Sequence, residues 1–356
     1  MEKYSQQVLE SLNVSDEIIN VHGASIDVRR TSDTPHGCYD PRELNIRLAL
    51  AKFNKPAGDI TIEKIRASTC TRCEDLSDGN TDMRTETLDI NGRSISAKVY
   101  FKKGAKEAES NIAIYMHGGS FIAGSAENYE MPCRFTAEKT DSFVYGVDYS
   151  LAPETHFPTP VEECAAYIDM LYEKYGKKVF IFSDSAGGAI ALGAAFGRRE
   201  KIAHMGLFYP CVDMSTTDAL YKWDINEYEI NPSQAEIVES RLGLGRADGK
   251  GALELMGMMF GLYFAGRHAD FYKNPQASPI YGNLGELPPC NIYTSEFDGL
   301  RIQAEVFAGM MKQAGGDVKI LRFAGVSHAF LDFFGTLPQA EAGIRDWCNT
   351  VNSYKA

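Results

Sequence analysis

The sequence predicts an α/β protein in which a mostly parallel central sheet is flanked by helices. Two observations predict this fold class. From about residue 110 onward, short apolar runs alternate with amphipathic helical patterns, as in parallel strands joined by right-handed helical crossovers. Glycine and polar residues directly follow several of these runs, where the carboxyl ends of parallel strands gather ligands.

The predicted strands are short and mostly apolar. The first two enclose an Asn91-Gly92 turn, which is a strong hairpin signal. In chain order, strands are predicted at 84–90, 94–101, 112–116, 143–147, 179–182, 205–209, 291–294 and 318–323. Apolar residues at three- and four-residue spacing predict helices at 161–175 and 300–311, and a further helix is predicted at 42–53.

Two segments lie outside this alternation and divide the chain. Residues 1–84 are polar and broken, and residues 215–272 contain no clear strand. The segments 85–214 and 273–356 are therefore predicted to be the two parts of one core. Within the insertion, residues 255–265 are apolar almost all round, which is typical of a helix packed on a core and also of an apolar pocket wall.

Composition excludes several classes of protein. The 356 residues carry 36 basic and 48 acidic side chains, a formal net charge of −12, which argues against general nucleic-acid binding. No apolar run is long enough to span a bilayer, so stable membrane insertion is not expected. The eight cysteines are spread along the chain, and the start lacks a signal-peptide pattern. We therefore expect a cytoplasmic protein with free thiols, in which Cys70 and Cys73 form no metal site.

A candidate nucleophile follows the predicted strand 179–182. The sequence Ser183-Asp184-Ser185-Ala186-Gly187 leads directly into a helical pattern. Small residues must flank a nucleophile held on a sharp strand-to-helix turn. This turn would also place Ser185 at a helix N-terminus, where free N–H groups favour negative charge.

A glycine loop follows the predicted strand 112–116. It reads His117-Gly118-Gly119-Ser120, and its glycines allow backbone N–H groups to converge on one point. We predict that the N–H groups of Gly118, Gly119 and Ala186 form an oxyanion hole. His117 is expected to fix this loop by hydrogen bonding rather than to carry a proton.

Two further residues complete a catalytic triad. A serine hydroxyl needs a base to accept its proton, and the base needs an acid to hold its tautomer. Asp298 follows the predicted strand 291–294, and His328 follows the predicted strand 318–323. The chain order of Ser185, Asp298 and His328 is the order found on an α/β-hydrolase sheet.

Together these motifs resemble the hormone-sensitive-lipase-like family of α/β-hydrolases, which includes many bacterial carboxylesterases. The matching segments are 117–119, 148–154, 184–188, 209–210, 298–301 and 325–330. The resemblance implies the α/β-hydrolase fold with a helical cap formed by residues 1–84 and 215–272. It also implies that Ser185 is the nucleophile, Asp298 the acid and His328 the base, with Asp184 and Gly187 supporting the nucleophile turn. The sequence departs from the family pattern at Ser120, Ser150, Ser183 and Gly299.

The predicted function is a serine carboxylesterase that acts on short-to-medium acyl esters. Its partner would be a small-molecule ester, no metal or organic cofactor would be required, and a homo-oligomer is compatible with the sequence. A deacetylase, amidase or peptidase with the same triad stays open, since the cap selects the leaving group. A ligand-binding protein of this fold is the alternative outside enzymes, and the presence of His328 argues for catalysis.

Overall fold

A single sheet organises the chain. The computed structural model describes residues 4–53, 61–68, 73–215, 219–242 and 250–354. Within them, ten strands form one sheet in the order β1-β2-β10-β9-β8-β7-β5-β6-β4-β3. The strands are β1 (Glu17–Val21), β2 (Ala24–Arg29), β3 (Thr81–Ile90), β4 (Arg93–Lys102), β5 (Asn111–Met116), β6 (Ser142–Asp148), β7 (Val179–Asp184), β8 (Ile202–Phe208), β9 (Cys290–Phe297) and β10 (Val318–Ser327).

The middle of the sheet is parallel and its two edges are antiparallel. Strands β5 to β10 pair in parallel, and β10 also pairs in parallel with β2. Antiparallel pairs occur between β1 and β2, between β3 and β4, and between β4 and β6. The predicted fold class and all eight predicted strands are confirmed, with ends that differ by up to four residues.

Helices cover both faces of the sheet. The α-helices are α1 (Gln6–Ser11), α2 (Pro41–Phe53), α3 (Ile62–Ser68), α4 (Glu130–Thr140), α5 (Thr159–Tyr175), α6 (Ala186–Ala195), α7 (Ala235–Leu242), α8 (Lys250–Tyr263), α9 (His268–Phe271), α10 (Arg301–Gln313) and α11 (Pro338–Ser353). Buried side chains of α5, α6 and α10 join one apolar cluster, and those of α4 and α11 join another. Two layers of helix therefore shield the strands from water, as a parallel sheet requires.

The N-terminal segment departs from the prediction. Residues 1–84 were expected to lie in a cap, but β1 and β2 extend the main sheet and β3 forms its opposite edge. The hairpin turns at His22 and Gly23, and β2 then pairs with β10 from Ile26 to Arg29. Alternate side chains of β2 are buried, including Ile26 at 0% exposure. Burial of this apolar face explains why a polar segment joins the core.

The described residues of the insertion contain helices joined by irregular segments and no strand. Its helix α8 packs against the loop after β5, where the rings of Phe121 and Tyr263 stack with centroids 4.3 Å apart. Its earlier part reaches the end of β9, where the Tyr228 hydroxyl donates to the Asp298 carbonyl over 2.8 Å. The insertion thus contacts two loops at the carboxyl ends of the strands. Among the described residues, no helix is long and apolar enough to cross a membrane.

Candidate active site

Ser185 lies on a strained turn between β7 and α6. Its backbone angles are φ 51° and ψ −120°, a left-handed conformation that a side chain rarely adopts. The Ser185 N–H donates to the Phe208 carbonyl over 2.9 Å, which fixes the turn against β8. A Cβ on Gly187 would lie 2.2 Å from the carbonyl oxygen of Met116, so this turn requires glycine there. The predicted need for small residues around Ser185 is explained by this close approach.

Three side chains from separate strand ends form one hydrogen-bonded chain. The Ser185 Oγ lies 2.9 Å from Nε2 of His328, and Nδ1 of His328 lies 2.8 Å from Oδ2 of Asp298. The Asp298 side chain is 2% exposed, whereas that of His328 is 26% exposed. The imidazole therefore bridges a buried carboxylate and a hydroxyl at the edge of the site. This geometry allows a proton to pass from the hydroxyl to the imidazole.

Several contacts hold the Asp298 carboxylate in its charged form. Burial alone would raise its pKa, but the attraction of His328 and the hydrogen bond to it lower the pKa below the ordinary value. The Leu300 N–H donates to Oδ1 over 2.8 Å, and the Ser295 hydroxyl donates to Oδ2 over 3.1 Å. A charged Asp298 keeps the Nδ1 proton of His328 in place and leaves Nε2 free to accept one.

The glycine loop is attached to the residue before the nucleophile. The Gly118 N–H donates to Oδ1 of Asp184 over 2.6 Å. The hydroxyls of Tyr115 and Tyr129 donate to the same carboxylate over 2.6 and 3.0 Å. The prediction that Gly118 contributes to the oxyanion hole is therefore wrong, because its single N–H is directed at Asp184. Burial raises the pKa of Asp184, and these three donors oppose that increase.

Three other N–H groups near Ser185 have no such acceptor. Within the described parts of the chain, no protein oxygen accepts the N–H of Gly119, Ser120 or Ala186. Gly119 and Ser120 have positive φ angles of 126° and 56°, so the loop turns sharply here. Ser120 was placed in this loop from the sequence, but its N–H was not predicted as a donor, because the glycines were assigned that role. Its position, one residue beyond Gly119 in the same turn, was the available signal.

His117 is a buried support of this loop. Its ring stacks on Tyr149 with centroids 4.4 Å apart, and its Nδ1 lies 2.7 Å from the Gly118 carbonyl oxygen. The Tyr149 hydroxyl donates to the His117 carbonyl over 2.5 Å. Burial lowers the pKa of His117, which favours the neutral ring. These contacts are consistent with the predicted loop-fixing role.

The departures from the family pattern have separate structural settings. The Ser150 hydroxyl donates to Glu163 over 2.8 Å, so it retains a link to a buried carboxylate. The Ser183 hydroxyl is buried and has no hydrogen-bond partner among the described residues. Nothing lies within 4 Å of a Cβ built on Gly299.

The cysteine pair of the sequence analysis is only partly described by the structure. Cys70 lies outside the described residues, and the sulfur of Cys73 lies 3.5 Å from the Leu331 carbonyl oxygen. Among the residues that the structure describes, no group of three or more His, Cys, Asp or Glu side chains could hold a metal ion.

Several known proteins that are similar to this chain in sequence or structure are named as esterases. The alpha/beta hydrolase fold family model matches residues 113–332. Esterase LipI of Mycobacterium tuberculosis is 29% identical over 277 residues, which cover 73% of this chain and 78% of LipI. An acetyl esterase of Salmonella schwarzengrund is 27% identical over 259 residues, or 71% of this chain and 74% of that protein.

The solved structures agree with this result. A hyperthermophilic esterase from the archaeon Pyrobaculum calidifontis superposes with a TM-score of 0.73 at 25% sequence identity. The match covers 89% of this chain and 98% of the archaeal one. The carboxylesterase EstE1, cloned from a metagenomic library, matches with a TM-score of 0.65 at 25% identity, covering 87% of this chain and 97% of EstE1.

Proposed function

Because the chain belongs to the α/β-hydrolase fold family, we propose that it is a serine carboxylesterase that forms an acyl-enzyme on Ser185. The observation that carries this proposal is the hydrogen-bonded chain from Ser185 through His328 to Asp298. Similar proteins named as esterases support cleavage of an ester bond. The substrate is accordingly a small-molecule ester.

The geometry supports a two-step reaction. The Ser185 Oγ attacks the ester carbonyl carbon while Nε2 of His328 accepts the hydroxyl proton. His328 then gives this proton to the leaving alcohol as the carbon–oxygen bond breaks. Water repeats the sequence on the acyl-enzyme, which releases the acid and restores the serine. Asp298 stabilises the imidazolium formed in each step.

Backbone N–H groups stabilise the oxyanion in this proposal. Gly119, Ser120 and Ala186 supply the donors, since the Gly118 N–H is engaged by Asp184. Ala186 adds the N-terminal end of α6, where helix N–H groups favour negative charge. Because these donors belong to tightly packed turns, little reorganisation is needed as charge develops.

We place the acyl chain against the aromatic residues of the insertion. Phe121 follows the oxyanion loop directly, and it packs against Phe260 and Tyr263 of α8. These three rings are at most 3% exposed, so they form a packed apolar layer behind the loop, against which we place an acyl chain of short to medium length. A series of p-nitrophenyl esters with increasing acyl length tests this part. We expect kcat/KM to reach its maximum among the shorter chains, and a maximum at the longest chain contradicts the assignment.

Replacement of Ser185 by Ala tests the proposed function itself. We expect kcat for p-nitrophenyl acetate to fall by about 10⁶-fold, as with loss of other serine nucleophiles, while the far-UV circular dichroism stays unchanged. Full turnover in a clean Ser185→Ala preparation overturns the nucleophile assignment. A fluorophosphonate probe should label Ser185 in the unchanged protein. Folded protein that remains unlabelled supports a ligand-binding role instead.

The proposal also includes a reducing, cytoplasmic setting. Its support comes from buried free thiols spread through the core, which are Cys38, Cys133, Cys164, Cys211, Cys290 and Cys348. Thiol titration of the freshly purified, denatured protein should find these groups reduced. Disulfides among them in protein isolated under alkylating conditions contradict this setting.

A further inference from the structure

A cluster of polar side chains lies beside the histidine of the active site. Its four members, Tyr39, Glu43, Arg47 and Arg241, come from the N-terminal segment and from α7 of the insertion. The Arg241 guanidinium donates to the backbone carbonyl of His328 over 3.4 Å. Glu43 accepts from the hydroxyl of Ser327, the preceding residue, over 2.6 Å. The cluster, here called the polar wall, therefore contacts the histidine loop directly.

Each member of the polar wall has a polar atom without a partner. The Tyr39 hydroxyl, Glu43 Oε2, one terminal nitrogen of Arg47 and Nε of Arg241 are buried and make no hydrogen bond within the described residues. Tyr39 is 1% exposed and the Glu43 side chain is 0% exposed. A buried donor or acceptor that lacks a partner is costly. The hydroxyl and the two guanidinium nitrogens can donate, so they indicate that a further acceptor completes them, whereas Glu43 Oε2 lacks a donor.

Charge identifies the missing group as an anion. Arg47 pairs with Glu43 over 2.8 Å, but among the described residues no carboxylate pairs with Arg241. Burial and the nearby Arg47 lower the pKa of Arg241, and the weaker influences of Tyr39, Glu43 and Asp298 oppose this decrease. Arg241 as a whole residue is partly exposed, although its Nε is buried. A planar carboxylate suits the donor geometry of guanidinium groups.

The position of the polar wall indicates which part of the substrate it would meet. The apolar residues of α8 pack beside the oxyanion loop, whereas the polar wall is next to His328. In the proposed reaction, His328 delivers its proton to the leaving alcohol. The alcohol part of the ester therefore lies on the side of the polar wall.

We propose that Arg241, supported by Arg47 and Tyr39, binds a carboxylate on the alcohol part of the ester substrate. The preferred substrates would then be O-acyl derivatives of hydroxy acids. This inference rests on the proposed esterase function and adds the chemical class of its leaving group.

Two matched esters test the inference. In 4-acetoxybenzoate the leaving group carries a carboxylate, and in 4-acetoxybenzamide it carries a neutral amide of similar shape. The measured quantity is the ratio of kcat/KM for the two esters, each corrected for its spontaneous hydrolysis. We expect the unchanged protein to favour the carboxylate. Arg241→Gln should reduce that ratio by at least about tenfold, as for loss of a charge-assisted hydrogen bond.

Three variants control this experiment. Arg241→Lys keeps the charge and should recover part of the preference. Tyr39→Phe removes only an unpaired hydroxyl and should lower the ratio of kcat/KM values. It keeps the inference testable if Arg241→Gln fails to fold. Arg267→Gln changes an exposed arginine of the same insertion and should leave the ratio unchanged.

The outcomes separate the two proposals. Hydrolysis of both esters without a carboxylate preference overturns the inference and leaves the esterase function standing. An equal fall for both esters in Arg241→Gln, with the ratio unchanged, also overturns it. If the protein hydrolyses none of the three esters, 4-acetoxybenzoate, 4-acetoxybenzamide and p-nitrophenyl acetate, the proposed function is overturned.

Inorganic phosphate provides a further test. If phosphate accelerates hydrolysis of 4-acetoxybenzamide by the unchanged protein and not by Arg241→Gln, that result assigns the polar wall to binding of a free anion instead.

Discussion

The N–H of Gly118 donates to Oδ1 of Asp184 over 2.6 Å, which joins the glycine loop to the residue before Ser185. The contact is close enough that a Cβ on Gly118 would lie 2.3 Å from the Asp184 side chain. In the proposed reaction, Asp184 thus holds two sets of oxyanion donors in place relative to each other, those of the loop and that of Ala186. Its carboxylate is buried and is not hydrogen-bonded to Ser185 Oγ, so we assign it a positioning role.

Replacement of Asp184 by Asn is predicted to lower kcat more than it raises KM. The amide oxygen can accept only some of the three hydrogen bonds, and its NH₂ group would face other donors. We expect kcat to fall at least about tenfold, less than the roughly hundredfold loss seen when an oxyanion donor itself is removed. The measurement is steady-state kinetics with p-nitrophenyl acetate. Asp270→Asn, at an exposed position, is the control; an unchanged kcat in Asp184→Asn contradicts the positioning role.

Gly187→Ala should destabilise the protein and impair the nucleophile turn. Its new Cβ would lie 2.2 Å from the Met116 carbonyl oxygen, and backbone at that position cannot move aside easily. We expect the free energy of unfolding to fall by about 1–3 kcal/mol, together with a large loss of activity. Urea unfolding and ester hydrolysis measure these effects. Gly299→Ala, where nothing lies within 4 Å of the added Cβ, should have little effect on stability. Equal stability of the two variants contradicts the close packing described here.

Asp332→Asn should stabilise the protein at neutral pH but not at low pH. Burial raises the pKa of Asp332 from 3.8 to about 7, although its Oδ1 lies 2.6 Å from the hydroxyl oxygen of Tyr129, whose single proton it shares with Asp184. The folded protein therefore binds this proton more tightly than the unfolded chain does. Stability is lost as the pH rises from about 4 to about 7, and the Asn variant avoids that loss.

The size of the pKa shift of Asp332 limits how much stability the Asn variant can gain. It corresponds to at most about 4 kcal/mol at pH 8. Urea unfolding at several pH values, with Asp82→Asn as an exposed control, measures it. The raised pKa of Asp332 is refuted if Asp332→Asn differs in stability from the unchanged protein by the same amount at pH 4.5 and at pH 8.

Ser183→Ala is predicted to be neutral or stabilising. The serine hydroxyl is buried without a hydrogen-bond partner in the described structure. Its removal therefore removes the cost of burying an unpaired polar group. We expect the free energy of unfolding to rise by up to about 1 kcal/mol. Ser295→Ala provides the contrast, because that hydroxyl donates to Asp298 over 3.1 Å and its loss should destabilise. A clear loss of stability in Ser183→Ala would show that the hydroxyl has a partner after all.

Local sequence patterns were sufficient for the central sheet and for the three triad positions. Strands such as β5 and β7 are continuous apolar runs, and the residues that follow them must lie at one edge of a parallel sheet. Ser185, Asp298 and His328 could therefore be predicted to meet, and in the structure they do. The predicted hormone-sensitive-lipase-like esterase family is confirmed by the family match and by the similar esterases.

Long-range contacts explain what the sequence did not reveal. The sequence of strand β2 includes polar residues and has no continuous apolar run. Its place in the sheet depends on pairing with β10, nearly 300 residues later. The role assigned to Gly118 was wrong because a carboxylate 66 positions away accepts its N–H. The N–H of Ser120 was not predicted as a donor, since the direction of a backbone N–H cannot be read from residue type. Arg241 was missed because its neighbours come from α2 and from the end of β10.

The pairing of β2 with β10 has a consequence for biosynthesis. During translation β2 leaves the ribosome well before β10, the strand beside which it lies. Until β10 follows, Ile26 and Val28 lack the partner strand that covers them, and chaperones or other nascent chains can bind their apolar side chains. Because Glu43 of α2 accepts a hydrogen bond from Ser327, the residue before His328, nascent chains should stay inactive until β10 and the histidine loop have left the ribosome.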